Sequence, residues 1–150
     1  MSDIRCLSAA DRLDIAELLA KRYFYADHGD FDALAGCYAK DVVINIVGAG
    51  TFTGADWQVD HAKSSYESTD GKNRHVITNL WIEPAGGVAE AAVARYLLLN
   101  FVAGTKVGDP KLRTTGRFAD HVRRGPDGWR ITQREFAPDQ PFTFDEKGGR

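Results

Sequence analysis

The chain has 150 residues, a formal net charge of -2 and a pI near 6.1, so its length is that of one domain with room for a core and an internal pocket. Without a basic stripe it offers nothing to a phosphate backbone or an anionic bilayer, so no nucleic-acid or membrane partner is expected and small molecules or other proteins remain. The start MSDIRCLSAAD lacks the basic-then-apolar run of a secretory signal, and no apolar run reaches about 18 residues, so a cytoplasmic location is expected. Cys6 and Cys37 show neither metal spacing nor a paired framework and read as free thiols.

Ser8 followed by Asp11 marks a helix start, and Leu13, Ile15, Ala16, Leu18, Leu19, Tyr23 and Phe24 keep a helical apolar period to about Asp27. Gly29 ends that helix, and Asp30 caps a second one through FDALAGCYA, giving a helical hairpin. The β-branched run VVINIV reads as a strand turning at Gly48, Ala49 and Gly50 into a short TFT strand, and ADWQVDHAKSSYE reads as a third helix. Strands come next near His75–Ile82, Val88–Val102, Leu112–Arg123 and Trp129–Phe136. They are separated by Gly86-Gly87, by a loop carrying Gly104, Gly108 and Pro110, and by Gly125-Pro126-Asp127-Gly128. Helices first and long antiparallel strands after, with no linker or repeat, predict a single α+β domain. Its cone-shaped, curved antiparallel or mixed sheet carries the three N-terminal helices on the concave face.

Asp27 breaks the pattern of the first helix by ending it on the apolar face, four residues after Tyr23, three after Phe24 and seven after Ala20. An unpaired carboxylate out of water is costly or protonates, so a cationic or hydrogen-bond-donating partner is needed, and His75 is the best candidate. Arg22, five residues before Asp27, falls off its stripe and reads as a solvated or interface arginine. Arg134 has the opposite strand parity to Trp129 and Ile131, so it faces away from the core those two enter unless a bulge intervenes. Asp30, Asp32, Asp41, Asp60, Lys63 and Glu67 read as caps and solvated surface.

The segments RYFYADHGDFDALAGCYAKDVV, GAGTFTG, RHVITNLWIE and GRFADHVRRGPDGWRITQREF together resemble the SnoaL-like family of the nuclear transport factor two-like superfamily, over nearly the whole chain to about Phe136. Within it the sequence is similar to the scytalone dehydratase branch and, in its charged positions more closely, to the hexachlorocyclohexane dehydrochlorinase branch. Those enzymes pair an aspartate at the end of the first helix with a histidine starting the third strand, where this chain has Asp27 and His75. The resemblance also places Arg22 and Arg134 at a basic position before the aspartate and an arginine of the last strand.

The chemistry so implied is that of a lyase or isomerase, dehydratase-like and needing no cofactor. His75 takes a proton from carbon while Asp27 orients it and stabilises the imidazolium. Arg134 and Arg22 stabilise charge on a leaving group or enolate oxygen. His28, His61 and His121 form no cluster at zinc spacing, so no metal is expected. A lining by Tyr23, Ile46, Phe52, Trp57, Tyr96, Asn100 and Phe118 suits a small hydrophobic cyclic substrate, with Tyr23 either packing or bonding a ligand oxygen. The chain departs from the dehydratase branch at Ala26 and Ile46, where tyrosines are expected, and at Asn100, in place of a second histidine that Asn100 cannot replace as a base.

Gly48, Gly50 and Gly54 miss the dinucleotide-binding spacing, and Ser64-Ser65 lacks the context that activates a serine. Two rival readings stay open: a pocket protein that binds a hydrophobic ligand without chemistry, and a structural subunit resembling the small subunit of aromatic-ring dioxygenases. The outer sheet face is the expected surface for a homodimer or homotrimer. The tail from Pro138, with Phe142 and Phe144, could close a pocket mouth, swap onto a neighbour or fray.

Overall fold

Helix α1 spans Ala9–His28 and is bounded by the residues that cap it. The Ser8 hydroxyl accepts from Asp11 N at 3.0 Å and the Asp11 carboxylate accepts from Ser8 N at 3.1 Å, a reciprocal capping box. Gly29 closes the helix at φ 75°, a left-handed conformation that side chains resist. These elements belong to a computed structural model that describes residues 7–104 and 110–143; Cys6, Gly108 and Phe144 lie outside them.

Helix α2 covers only Phe31–Ala35, shorter than the 31–39 helix expected. Cys37 N turns back to Leu34 O at 3.0 Å and Cys37 O accepts from Ile131 N at 2.9 Å, so strand pairing claims Tyr38 before a second helical turn can form. The remaining elements are β1 (Tyr38–Ile46), β2 (Gly50–Thr53), α3 (Ala55–Ser68), β3 (Asn73–Ala85), β4 (Val88–Val102), β5 (Lys111–Gly125) and β6 (Gly128–Pro138). The strands lie in the order β2-β1-β6-β5-β4-β3, with β1 and β6 parallel and the other pairs antiparallel. The result is an α+β fold in which three helices pack on a six-stranded, mixed and curved sheet that does not close.

The buried line of α1 is Asp11, Ile15, Leu19, Arg22, Tyr23, Ala26 and Asp27. Phe24 and Leu13, placed on the apolar stripe by sequence, are 60% and 70% exposed, and Ala20 is exposed as well. Arg22 is buried instead, because it stands four residues before Ala26 on a stripe wide enough to hold both neighbours of each turn. Ile15, Leu19 and Ala26 meet Leu34, Val42, Ala94, Leu98, Val122 and Ile131 in the core.

Irregularities on β6 and β3, among others, shape the sheet. On β6, Ile131 pairs with Val122 and Gln133 with His121, so Thr132 is an extra residue that reverses the facing of the strand beyond it. Trp129, Ile131, Arg134 and Phe136 therefore all turn inward. On β3 the register slips between Thr78 and Trp81, where Asn79 takes φ 54°. Gly116 is required opposite this curved wall, since a Cβ there would come within 2.5 Å of the Phe136 ring. Among the described residues no helix is long and apolar enough to cross a membrane.

Candidate functional site

A cavity of about 210 Å³ lies between α1, α3 and the concave face of the sheet, with residues 140–143 after β6 forming part of its wall. The start of the tail, as far as Thr143, thus lies against the cavity.

Asp27, at the last turn of α1, holds His75 at two points. Its Oδ2 accepts from the His75 backbone N at 2.8 Å, and its Oδ1 meets His75 Nδ1 at 2.5 Å. A carboxylate only accepts, so Nδ1 carries the proton and the lone pair sits on Nε2. Nε2 has no hydrogen-bond partner among the described residues, and His75 lines the cavity. Burial pulls the His75 pKa below its ordinary value of 6.5, partly opposed by Asp27, so the imidazole is neutral at neutral pH.

Arg134 is bound quite differently. Its Nε donates to Asp120 Oδ1 at 2.8 Å, and Nη2 lies 3.2 Å from Asp120 Oδ2, 3.0 Å from the Tyr23 hydroxyl and 3.1 Å from that of Tyr96. Nη1 reaches the Tyr38 hydroxyl at 3.4 Å and Gln58 Oε1 at 3.3 Å. All five N–H groups therefore have protein acceptors. Tyr96 donates to Asp120 Oδ2 at 2.6 Å, and burial, then the Asp120 charge, holds its hydroxyl pKa well above the usual phenol value. Tyr23 and Tyr96 hydroxyls are 2.7 Å apart; since the Tyr96 proton goes to Asp120, Tyr23 is the donor in that pair.

Arg22, expected in solvent, also lines the cavity. Its Nε donates to the Tyr38 hydroxyl at 2.5 Å, and its guanidinium carbon is 4.1 Å from the centre of the Tyr23 ring. Its two terminal nitrogens have no protein acceptor among the described residues. Of the two arginines buried among the described residues it is the one with donors left for a ligand.

Tyr23, Ile46, Trp57, Asn100 and Phe118 line the cavity, as does Ala26. Phe52 does not: its ring is stacked at 4.3 Å on Trp57, outside the lining. Tyr96 is also outside it, buried at 1% exposure with its hydroxyl drawn into the Arg134 cluster. Asp120, Gln58, Asn73, His61 and Phe136 belong to the site without being among the residues the sequence points to. Asp120 is legible in principle, because it alternates with Phe118 and Val122 on one face of β5. His61 stacks on Trp57 at 5.2 Å, and burial pushes its pKa down to about 4.

The family model of the SnoaL-like domain matches residues 8–135. No curated protein matches the chain. Among solved structures, the chain is similar to an NTF2-like protein with a cystatin-like fold from Novosphingobium aromaticivorans, at 24% identity and TM-score 0.76, over 91% of this chain and 86% of that one. It is similar to a scytalone dehydratase candidate from the same organism, at 18% identity and TM-score 0.75, over 100% and 99% of the two chains. It is also similar to LinA, at 21% identity and TM-score 0.72, over 93% and 91%. At these identities the likeness establishes the fold. With the family match covering most of its length, the chain belongs to the SnoaL-like domain family.

Proposed function

We propose that this protein is a cofactor-independent lyase or isomerase that removes a proton from carbon in a small hydrophobic ring. The observation that carries this reading is the two-point grip of Asp27 on His75, which presents Nε2 to the cavity as a base. Asp27 fixes the tautomer and stabilises the imidazolium that forms. Arg22, with free donors in the same cavity, stabilises charge on the departing group or the enolate oxygen. Arg134 lines the cavity but acts through others: it holds the Tyr23 and Tyr96 hydroxyls in place. The name of one structural neighbour, a scytalone dehydratase candidate, agrees with elimination chemistry.

The test is proton exchange at carbon, which needs no knowledge of the leaving group. Ring ketones and chlorinated cyclohexanes that raise the thermal midpoint are incubated in deuterated buffer with the protein and monitored by NMR. Protein-dependent deuterium uptake that His75→Gln abolishes is expected; binding without exchange in any compound would favour the ligand-binding reading.

The convex face supports a further proposal of self-association. Val76, Trp81 and Leu97 are 44%, 53% and 40% exposed on the face opposite to His75 and Asn100, and this is where we place an interface between copies of the chain.

A further inference from the structure

Among the described residues, three arginines line the cavity and no carboxylate does. Arg22 and Arg134 are buried, and Arg113, which is exposed, stands at the rim. The charge of Arg134 is met by Asp120. That of Arg22 is not. The carboxylates buried among the described residues are Asp11, Asp27 and Asp120, and each is already engaged, with Arg124, His75 and Arg134 respectively. The hydrogen-bond partner that Arg22 does have is the Tyr38 hydroxyl, and burial raises the Tyr38 pKa above its ordinary 10, so that partner is a neutral phenol.

A guanidinium stays charged at any working pH, and a cation taken out of water is costly unless a negative charge comes with it. Arg22 is 6% exposed, so the missing charge points to something that enters the cavity. Its terminal nitrogens have no protein partner, yet they are not among the unpartnered atoms that are sealed off, which are Asn73 Oδ1, Asn100 Nδ2 and Trp129 Nε1. They therefore keep open surface on the cavity that Arg22 lines. The field is positive at a second point of the wall: after burial, Arg22 and Arg134 are the largest causes that push the His61 pKa down to about 4.

The guanidinium is held ready. Its Nε is tied to Tyr38 and its face lies 4.1 Å from the centre of the Tyr23 ring, which leaves the two terminal nitrogens as a flat fork. Such a fork suits two coplanar oxygens. One cation with free donors also matches the single charge of a carboxylate, whereas a phosphate dianion would bring a second charge that the saturated Arg134 cannot meet. Trp57, Phe118 and Phe136 line the same space and call for a flat apolar ring. The cavity of about 210 Å³ exceeds the roughly 150 Å³ that admits benzene, which leaves room for a carboxylate beside it.

We propose that the Arg22 guanidinium is an anion-binding site and that the ligand of this cavity is a ring carboxylic acid, bound as its carboxylate with the ring among Trp57, Phe118 and Phe136. A neutral ring leaves the buried charge unbalanced and binds more weakly. Arg22 carries four terminal N–H groups, of which a carboxylate takes two, so donors remain for charge that develops during turnover. This acid is the substrate of the proposed lyase or isomerase, and only its turnover rests on that reading, since holding the anion needs no base.

An NMR titration at neutral pH compares benzoate, its neutral isostere benzamide and phenyl phosphate. Benzoate should bind about 10- to 100-fold more tightly than benzamide, the range expected for hydrogen bonds to a charged group. Arg22→Met should bring benzoate to the level of benzamide and leave benzamide unchanged; Arg22→Gln reads the same loss if the methionine variant does not fold. Arg117→Gln, which removes an exposed cation of β5 outside the cavity, should leave the preference intact. Equal affinities for benzoate and benzamide would overturn the proposal, as would a preference that survives the loss of Arg22 or disappears with Arg117, and tighter binding of phenyl phosphate would overturn the carboxylate. A benzoate preference in a protein without His75-dependent proton exchange would keep the anion site and remove the base, while exchange without that preference would do the reverse.

Discussion

The cavity holds two buried acid–base pairs, and they are built to opposite ends. In Asp27–His75 the carboxylate takes one ring nitrogen and leaves the other facing the cavity. In Asp120–Arg134 every N–H of the cation meets a protein acceptor, Asp120, Tyr23, Tyr96, Tyr38 or Gln58. The first pair keeps an unsatisfied valence where chemistry can happen, and the second uses its charge to order four side chains, of which Tyr23 and Gln58 line the cavity. A buried charge pair by itself therefore says little; what identifies a reactive one is the atom it leaves open.

Breaking each pair should give opposite phenotypes. His75→Gln is expected to lower proton exchange by three orders of magnitude or more, and Asp27→Asn by about two, with thermal midpoints near wild type for the former. Asp120→Asn strands the Arg134 charge and should cost about 3–5 kcal/mol in urea unfolding. Replacing Asp120 and Arg134 together by asparagine and methionine should recover part of that loss, because no unpaired charge remains. Stability unaffected by Asp120→Asn would show that the second pair does not hold those side chains.

Arg22 sharpens the comparison, since it resembles Arg134 in burial and His75 in openness. Arg22→Met should lower exchange about 10- to 100-fold with little change in midpoint, whereas Arg134→Met should lose stability as well as rate. Equal destabilisation by both would place Arg22 in the structural class.

A smaller effect lies in pH. The folded pKa of His61 falls from 6.5 to about 4, so the unfolded chain binds its proton first as the solution is acidified. Stability is fully present above pH 6.5 and drains as pH drops toward 4, by at most about 1.4 kcal/mol per pH unit for this group. His75, shifted in the same direction, adds with the same sign. His61→Phe should flatten the midpoint–pH curve between those limits, measured by scanning fluorimetry. The smallest effect is on assembly: Leu97→Glu should shift a dimer or trimer to monomer in light scattering without altering proton exchange.

Much of the molecule is legible in its residues, and the illegible parts have physical causes. Strand β4 can be read to its ends because Gly86-Gly87 and the later glycines bound it, and the capping box and Gly29 delimit α1. Helix α2 is overestimated from sequence because Tyr38 fits a helical period as well as a strand, and only pairing with β6 decides. The inward turn of Arg134 depends on Thr132, a bulge with no sequence signal of its own. Arg22 is misplaced by a stripe counted from Asp27 alone, which ignores Ala26, its partner four residues on. That Asn73 and Asn100 each bury a polar atom with no partner among the described residues lies beyond any pattern, since such an atom can be recognised only once its neighbours are in place.

The central claim is that Asp27 holds the Nδ1–H of a neutral His75 so that Nε2 stands free as a base, and nitrogen-15 NMR of the imidazole tests it most directly. The account predicts an Nδ1-protonated neutral ring at pH 7, titrating below 6.5, with the tautomer preference lost in Asp27→Asn. An imidazolium at pH 7, or a ring protonated on Nε2, would contradict it.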